Sequence, residues 1–228
     1  MAKTSKQEVI PDGYVFVADA TFFGRIYGFL IYRIPALKKN VYFTSIAYES
    51  IYEYQMGRMA VENKGFKIKA IVLDGRPGVR NLFRDIPVQM CHFHQKQIIK
   101  RHLTSNPELP ASIELKAITD TLTNTNEKTF TNKFVLWCNK WDSFLKERTT
   151  NLVTKRWSYT HKRVRSAKRS IKNNLPYLFT YQRYPHLNIP NTTNSLDGSF
   201  SFLKEKTNIH RGITNQLRDK IVESILAN

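Results

Sequence analysis

Apolar and polar positions along the first part of the chain follow a short, β-type period interrupted by helical stretches. YVFVADA (14–20), IYGFLIYRI (26–34) and VYFTSIAY (41–48) are aromatic and β-branched runs, and each predicts a strand. The short polar stretch between the second and third has no room for a crossover helix, so that pair is expected to be antiparallel. Positions 49–63 predict a helix, stopped by Lys64 and Gly65. FKIKAIVLD (66–74) alternates and then turns wholly apolar, as a strand does on entering an interior. Gly75 to Gly78 turn the chain, VRNLF predicts a short helix, IPVQMC (86–91) a last strand, and HFHQKQIIKRHL a further helix.

From about Pro107 the period changes. Phe134, Trp137, Trp141, Phe144 and Leu145 recur at three and four, which predicts helices joined by polar turns. Trp157, Val164, Ala167, Ile171 and Leu175 then form one apolar stripe, which predicts an amphipathic helix through residues 155–172. The chain therefore divides into residues 1–106, a strand-rich first part; 107–190, a helical and basic insertion; and 191–228, helices that complete the first part. The order of three antiparallel strands followed by βαβ units predicts an α/β fold with a mixed sheet of ribonuclease-H-like topology.

Charge adds a partner to this outline. The 228 residues carry 36 Lys and Arg against 18 Asp and Glu, a net charge of +18. Such an excess favours a polyanion, and nucleic acid before membrane. Residues 151–182 contain no acid but hold Lys155, Arg156, Lys162, Arg163, Arg165, Lys168, Arg169 and Lys172, which marks that block as the expected polyanion contact. No apolar run approaches the ~20 residues that span a bilayer. The polar start lacks the apolar centre of a signal peptide, and Cys91 and Cys138 make no disulfide framework, so a reducing, cytoplasmic and nucleoid-associated setting is expected.

The acids are few and their places matter. Asp19 is expected to close the first strand and Asp74 the fourth. If those strands are neighbours, two carboxylates leave the sheet side by side. Their repulsion is relieved by a divalent cation with hard oxygen ligands, Mg2+ or Mn2+. A third carboxylate is needed to hold two ions roughly 3.5–4 Å apart for phosphoryl transfer. Asp197 is the candidate, on a helix capped by Thr192 or Thr193, with Asn194 and Ser195 in its first turn and Leu196, Phe200 and Leu203 on its apolar face. Glu205, two turns further along a Lys-rich face, is the alternative. Taken one at a time, each Asp has an ordinary structural explanation as a turn former or a helix-start charge.

VADATFFGR, IVLDGRPGV, MCHFHQKQII and PNTTNSLDGSFSFLKEKTNIHRG resemble, in order, blocks of bacterial insertion-sequence transposases with a DDE nuclease, of the Mutator-like superfamily. The resemblance covers about residues 14–215. It implies a ribonuclease-H-like catalytic domain with a helical insertion between the second and third acids, and Mg2+-dependent cleavage and strand transfer of DNA. By position, Asp19 and Asp74 match the first two acids, and Asp197 stands where the family usually has Glu. The Cys91 to His94 segment matches the C-x-x-H element of the family, which implies that both residues, with Asn194, brace the site by hydrogen bonding; a structural zinc needs four ligands. Family members usually carry a DNA-end-binding domain ahead of the nuclease, and the first strand near residue 14 leads to the expectation that such a domain is missing. The implied partners are transposon ends and target DNA, without a membrane and with room for a homo-oligomer. A non-enzymatic DNA-binding remnant and a nuclease without strand transfer are the two other readings the sequence allows. Trp157 and Tyr159 suit stacking on an unpaired base, although the apolar stripe places Trp157 in the core.

Overall fold

The computed structural model describes residues 12–23, 27–209 and 214–226; in the last two helices several residues, Asp197 among them, are described by backbone alone. Strands β1 (Tyr14–Phe22), β2 (Gly28–Ile34) and β3 (Lys39–Ile46) form an antiparallel meander. Helix α1 (Ile51–Asn63) crosses to β4 (Ile68–Leu73), which lies parallel to β1. A 3-10 turn (Val79–Phe83) leads to β5 (Val88–Met90), parallel to β4. The sheet order is β3-β2-β1-β4-β5.

Period-two alternation gives this sheet two covered faces. Phe16, Ala18, Leu30, Tyr32, Ile71 and Leu73 point to the side of α1, where Tyr54 and Val61 are buried with them. The approach is close: a Cβ on Gly57 of α1 would collide with the Tyr32 ring, and Tyr32 Oη donates to Tyr54 O at 2.6 Å. Val17, Phe29, Ile31, Ala70 and Val72 face the other side, against Leu196, Phe200 and Leu203 of α8 (Asn194–Ile209) and Val222 and Leu226 of α9 (Asn215–Leu226).

A second core lies beyond β5. It is built by α2 (His92–Leu103), α3 (Pro110–Asp120), α4 (Glu127–Lys140), α5 (Asp142–Lys146), α6 (Lys162–Leu178) and α7 (Thr180–Arg183). Leu115, Phe130, Phe134, Trp137, Val164, Ala167 and Ile171 are buried there together. Polar bonds join this unit to the sheet edge. Thr180 Oγ1 donates to Val88 O at 2.7 Å, Gln89 Nε2 to Leu178 O at 2.8 Å, and the Tyr181 amide to Gln89 Oε1 at 3.0 Å. The first satisfies a backbone carbonyl of β5, and the other two, through the Gln89 side chain, fix where the helices attach. Among the described residues no helix is long and apolar enough to cross a membrane.

Two sequence expectations are corrected. Asp19 does not close its strand: β1 continues to Phe22 because its ladder with β2 runs on, pairing Asp19 with Ile31 and Phe22 with Gly28. The expected helix through residues 155–172 begins only at Lys162; before it lies a hairpin of β6 (Arg148–Thr150) and β7 (Trp157–Tyr159). An Asn-headed turn starts the hairpin, with Asn151 Oδ1 accepting from the amides of Val153 and Thr154 at 2.9 Å each. Trp157 is thereby removed from the apolar stripe and is 52% exposed.

Candidate active site

Parallel strands β1 and β4 pair Phe16 with Ile71 and Val17 with Val72. Continued by two residues, this register sets Asp19 of β1 opposite Asp74, the residue that follows β4. By the same alternation Asp19 follows Val15 and Val17, and Asp74 follows Ala70 and Val72, on the face that α8 covers. The β1–β4 ladder ends at Val17, so the two acids stand where the sheet opens.

Asp19 is 5% exposed, a costly place for a carboxylate without compensating bonds. Its Oδ1 accepts from the Ala20 amide at 2.8 Å, and His94 Nε2 lies 3.8 Å from Oδ2. Asp74 is half-buried and its Oδ1 accepts from the Arg76 amide at 2.9 Å. Gly75 makes that turn possible: its φ is +89°, and a Cβ there would strike the Met90 side chain.

Glu49, which the sequence reading passed over, joins this group from the β3–α1 connection. Its Oε1 accepts from Tyr54 Oη at 2.8 Å and its Oε2 pairs with Arg76 Nη1 at 3.0 Å. Burial, and then the nearby Asp74 carboxylate, raise the Glu49 carboxyl above its ordinary range. Burial pushes the Tyr54 hydroxyl well up as well, with Asp74, Glu49 and Asp19 adding to it. The guanidinium of Arg80 lies 4.3 Å from the centre of the Tyr177 ring and within the field of Asp74. One sheet edge thus gathers three acids, a phenol and two arginines. The sequence signal was thin: a single Glu just before a helix reads as a helix-start charge.

The supporting residues flank this edge. Cys91, fully buried, receives the end of the sheet, its amide donating to Leu73 O at 2.8 Å, and its Sγ is 3.5 Å from Thr193 Oγ1. The His92 amide donates to Asn191 O at 2.8 Å. Together they fasten the segment leading into α8 to the ends of β4 and β5. Asn194 is the first residue of α8 and is exposed. Asp197 lies in the first turn of α8, next to the buried Leu196, but its side chain is outside the described residues. Glu205 is exposed further along the same helix. Among the described residues no three His, Cys, Asp or Glu side chains converge as a metal site. Both cysteines are free thiols.

His92 is a buried neutral histidine. Its Nε2 lies 2.6 Å from Leu178 O, which can only accept, so Nε2 carries the proton. Its Nδ1 is buried without a hydrogen-bond partner, and burial lowers the ring from 6.5 to about 4. A folded value below the unfolded one means that stability is complete above pH 6.5 and falls through the window from 6.5 to about 4. The full loss is about 3 kcal/mol. Urea midpoints measured from pH 7 to pH 4 should fall more steeply for the wild type than for His92→Gln, which retains a donor for Leu178 O. Equal slopes would show that the ring charges without penalty.

The basic residues fall into two groups. On α6, Lys162, Arg165, Lys168, Arg169 and Lys172, with Tyr159 and Ser166, line an open depression of about 450 Å³. Arg165 also donates to Leu145 O at 2.6 Å and lies 3.4 Å from the Tyr159 ring centre. Arg163 donates to Arg101 O at 2.9 Å. Lys155 and Arg156 belong to the hairpin connection, and both are exposed. Val164, Ala167 and Ile171 face inward as expected, leaving the charges outward. No protein-family model matches the chain, and no curated protein matches it in sequence.

Proposed function

We propose that the chain is the catalytic part of a DDE-type DNA transposase, which cleaves DNA phosphodiesters and joins the freed ends to target DNA. What supports this reading is the register of parallel strands β1 and β4, which, continued past Val17 and Val72, sets Asp19 opposite Asp74 just beyond β4, on the face covered by the helix that bears Asp197. The strand order β3-β2-β1-β4-β5, with β2 antiparallel to both its neighbours, supports a ribonuclease-H-like assignment. The helices between β5 and α8 correspond to the insertion between the second and third acids of that plan.

The donor set at the edge is carboxylate oxygen, which suits Mg2+ or Mn2+. Asp19, Asp74 and Asp197 would hold the cation. When bound, it supplies Lewis-acid stabilisation of the phosphoryl oxygens and lowers the pKa of water. The chain does the rest. His94 stands beside Asp19 and orients its carboxylate. Arg76 keeps Glu49 from adding a further unbalanced charge next to Asp74. The Cys91–Thr193 contact fixes where α8 begins, and so where Asp197 is presented. The depression along α6 holds phosphates of the duplex through Lys and Arg. Cleavage by water and joining by a 3′-hydroxyl are the same in-line displacement with different nucleophiles, so one site serves both.

Plasmid nicking in Mg2+ tests the assignment of the third acid. Asp197→Ala should lose nicking, Asp197→Glu should keep or raise it, and Glu205→Ala should be neutral. Harmless loss of Asp197 with lethal loss of Glu205 would transfer the role to Glu205. Nicking without joined products would make the protein a nuclease alone.

A further inference from the structure

The hairpin ahead of α6 ends in two aliphatic side chains with nothing over them: Leu152 is 83% and Val153 90% exposed. They are held in place rather than loose. Asn151 Oδ1 accepts from the amides of Val153 and Thr154, the Lys155 amide donates to Asn151 O at 2.9 Å, and Lys155 takes a left-handed φ of 55°. The stem is stiffened by stacked cations and rings. The Arg148 guanidinium lies 4.0 Å from the centre of the Trp157 ring, and that of Arg165 3.4 Å from that of Tyr159. At its root the Thr160 amide donates to Glu147 O at 3.0 Å, and His161 stacks on Phe144 with ring centres 3.5 Å apart. A turn held by hydrogen bonds therefore presents an exposed apolar point.

Its surroundings identify the occupant. Between Glu147 and Asp197 the chain has no acid, and Arg148, Lys155 and Arg156 flank the point itself. Small apolar wedges set among cations enter base steps of duplex DNA, unstack them and kink the helix, while the cations hold adjacent phosphates. Two aliphatic side chains form too small an apolar area for an anchor in lipid, whereas one base step needs no more. We propose that the Leu152–Val153 tip is such a wedge, entering a base step of the DNA that lies along α6. The proposal rests on the reading of this protein as DNA-binding, and it adds a deformation of the substrate that phosphate contacts alone do not give.

The test is energy transfer between dyes at the two ends of a short duplex containing flexible pyrimidine–purine steps, with the wild type and the Leu152→Ser/Val153→Ser double variant. Wild type should bend the duplex by about 20–90°. The double variant should bind with the same salt dependence and unchanged Tm, yet lose most of the bend. A variant that bends DNA like wild type overturns the wedge. So does wild-type binding without a bend, which leaves DNA binding itself intact. Absence of any DNA binding overturns both readings together. Vesicles of anionic lipid serve as the other arm: binding to them that the double variant loses, with its DNA bend unaltered, would assign the tip to a membrane surface instead.

Discussion

Asp19→Asn and Asp74→Asn are each expected to lower Mg2+-dependent nicking by at least about 100-fold, beyond the 10–100-fold typical of substitutions one layer out from a metal. The change is nearly isosteric, so neither the β1–β2 ladder at Asp19 nor the turn at Gly75 need move. It removes charge from two neighbouring positions, one of them 5% exposed. Without metal the variants should therefore melt at the wild-type temperature or above it, because burying a carboxylate's charge is costly even where, as at Asp19, a backbone amide donates to it. With metal the order reverses. Wild type gains stability by mass action, while the variants, having lost a ligand, gain little. Melting scans with and without Mg2+, run beside the nicking assay, separate the loss of a ligand from the loss of the fold. Full activity in either variant removes that acid from the site.

The second large effect concerns the proposed grip on DNA. Lys162→Gln, Lys168→Gln, Arg169→Gln and Lys172→Gln together should reduce the steepness of log K against log salt by about two to four, at about 0.9 per phosphate contact. A fourfold rise in salt should then cost the variant roughly 15–250-fold less affinity than it costs wild type. These four line the depression on α6. Arg163 and Arg165 are left alone, since their guanidinium groups bond the carbonyls of Arg101 and Leu145 and their loss would disturb packing. The melting temperature should stay close to that of wild type, because these side chains lie on the outward side of α6 while Val164, Ala167 and Ile171 carry its burial. Affinities measured across a salt series decide it. An unaltered slope would place the DNA path on another surface.

The five strands of the large sheet were legible because each has a local cause in its own residues. β-branched and aromatic runs bounded by Gly or polar turns need no tertiary information to be recognised. The end of β1 was different. Its ladder with β4 stops at Val17 while its ladder with β2 runs to Phe22, and only the second ladder decides where the strand ends. Asp19, expected to close its strand, therefore lies within it, paired with Ile31. Trp157 misled for another reason. Its spacing of seven from Val164 fits a helical stripe, but the turn headed by Asn151 and the Thr-rich residues 149–150 favour a hairpin. Glu49 was illegible because its nearness to Asp74 depends on how α1 crosses from β3 to β4, which no spacing in the sequence records. The groups nearest Cys91 and His94, Thr193 and Asp19, are both far away in sequence and were set by the fold.

Whether the edge formed by Asp19 and Asp74 holds a divalent cation is the point on which the proposed chemistry depends. The most direct measurement is anomalous diffraction from crystals grown with Mn2+. A peak within ligand distance of both the Asp19 and Asp74 carboxylates, absent from crystals of Asp74→Asn, is the predicted result. Well-ordered Asp19 and Asp74 side chains with no peak between them at saturating Mn2+ would contradict it.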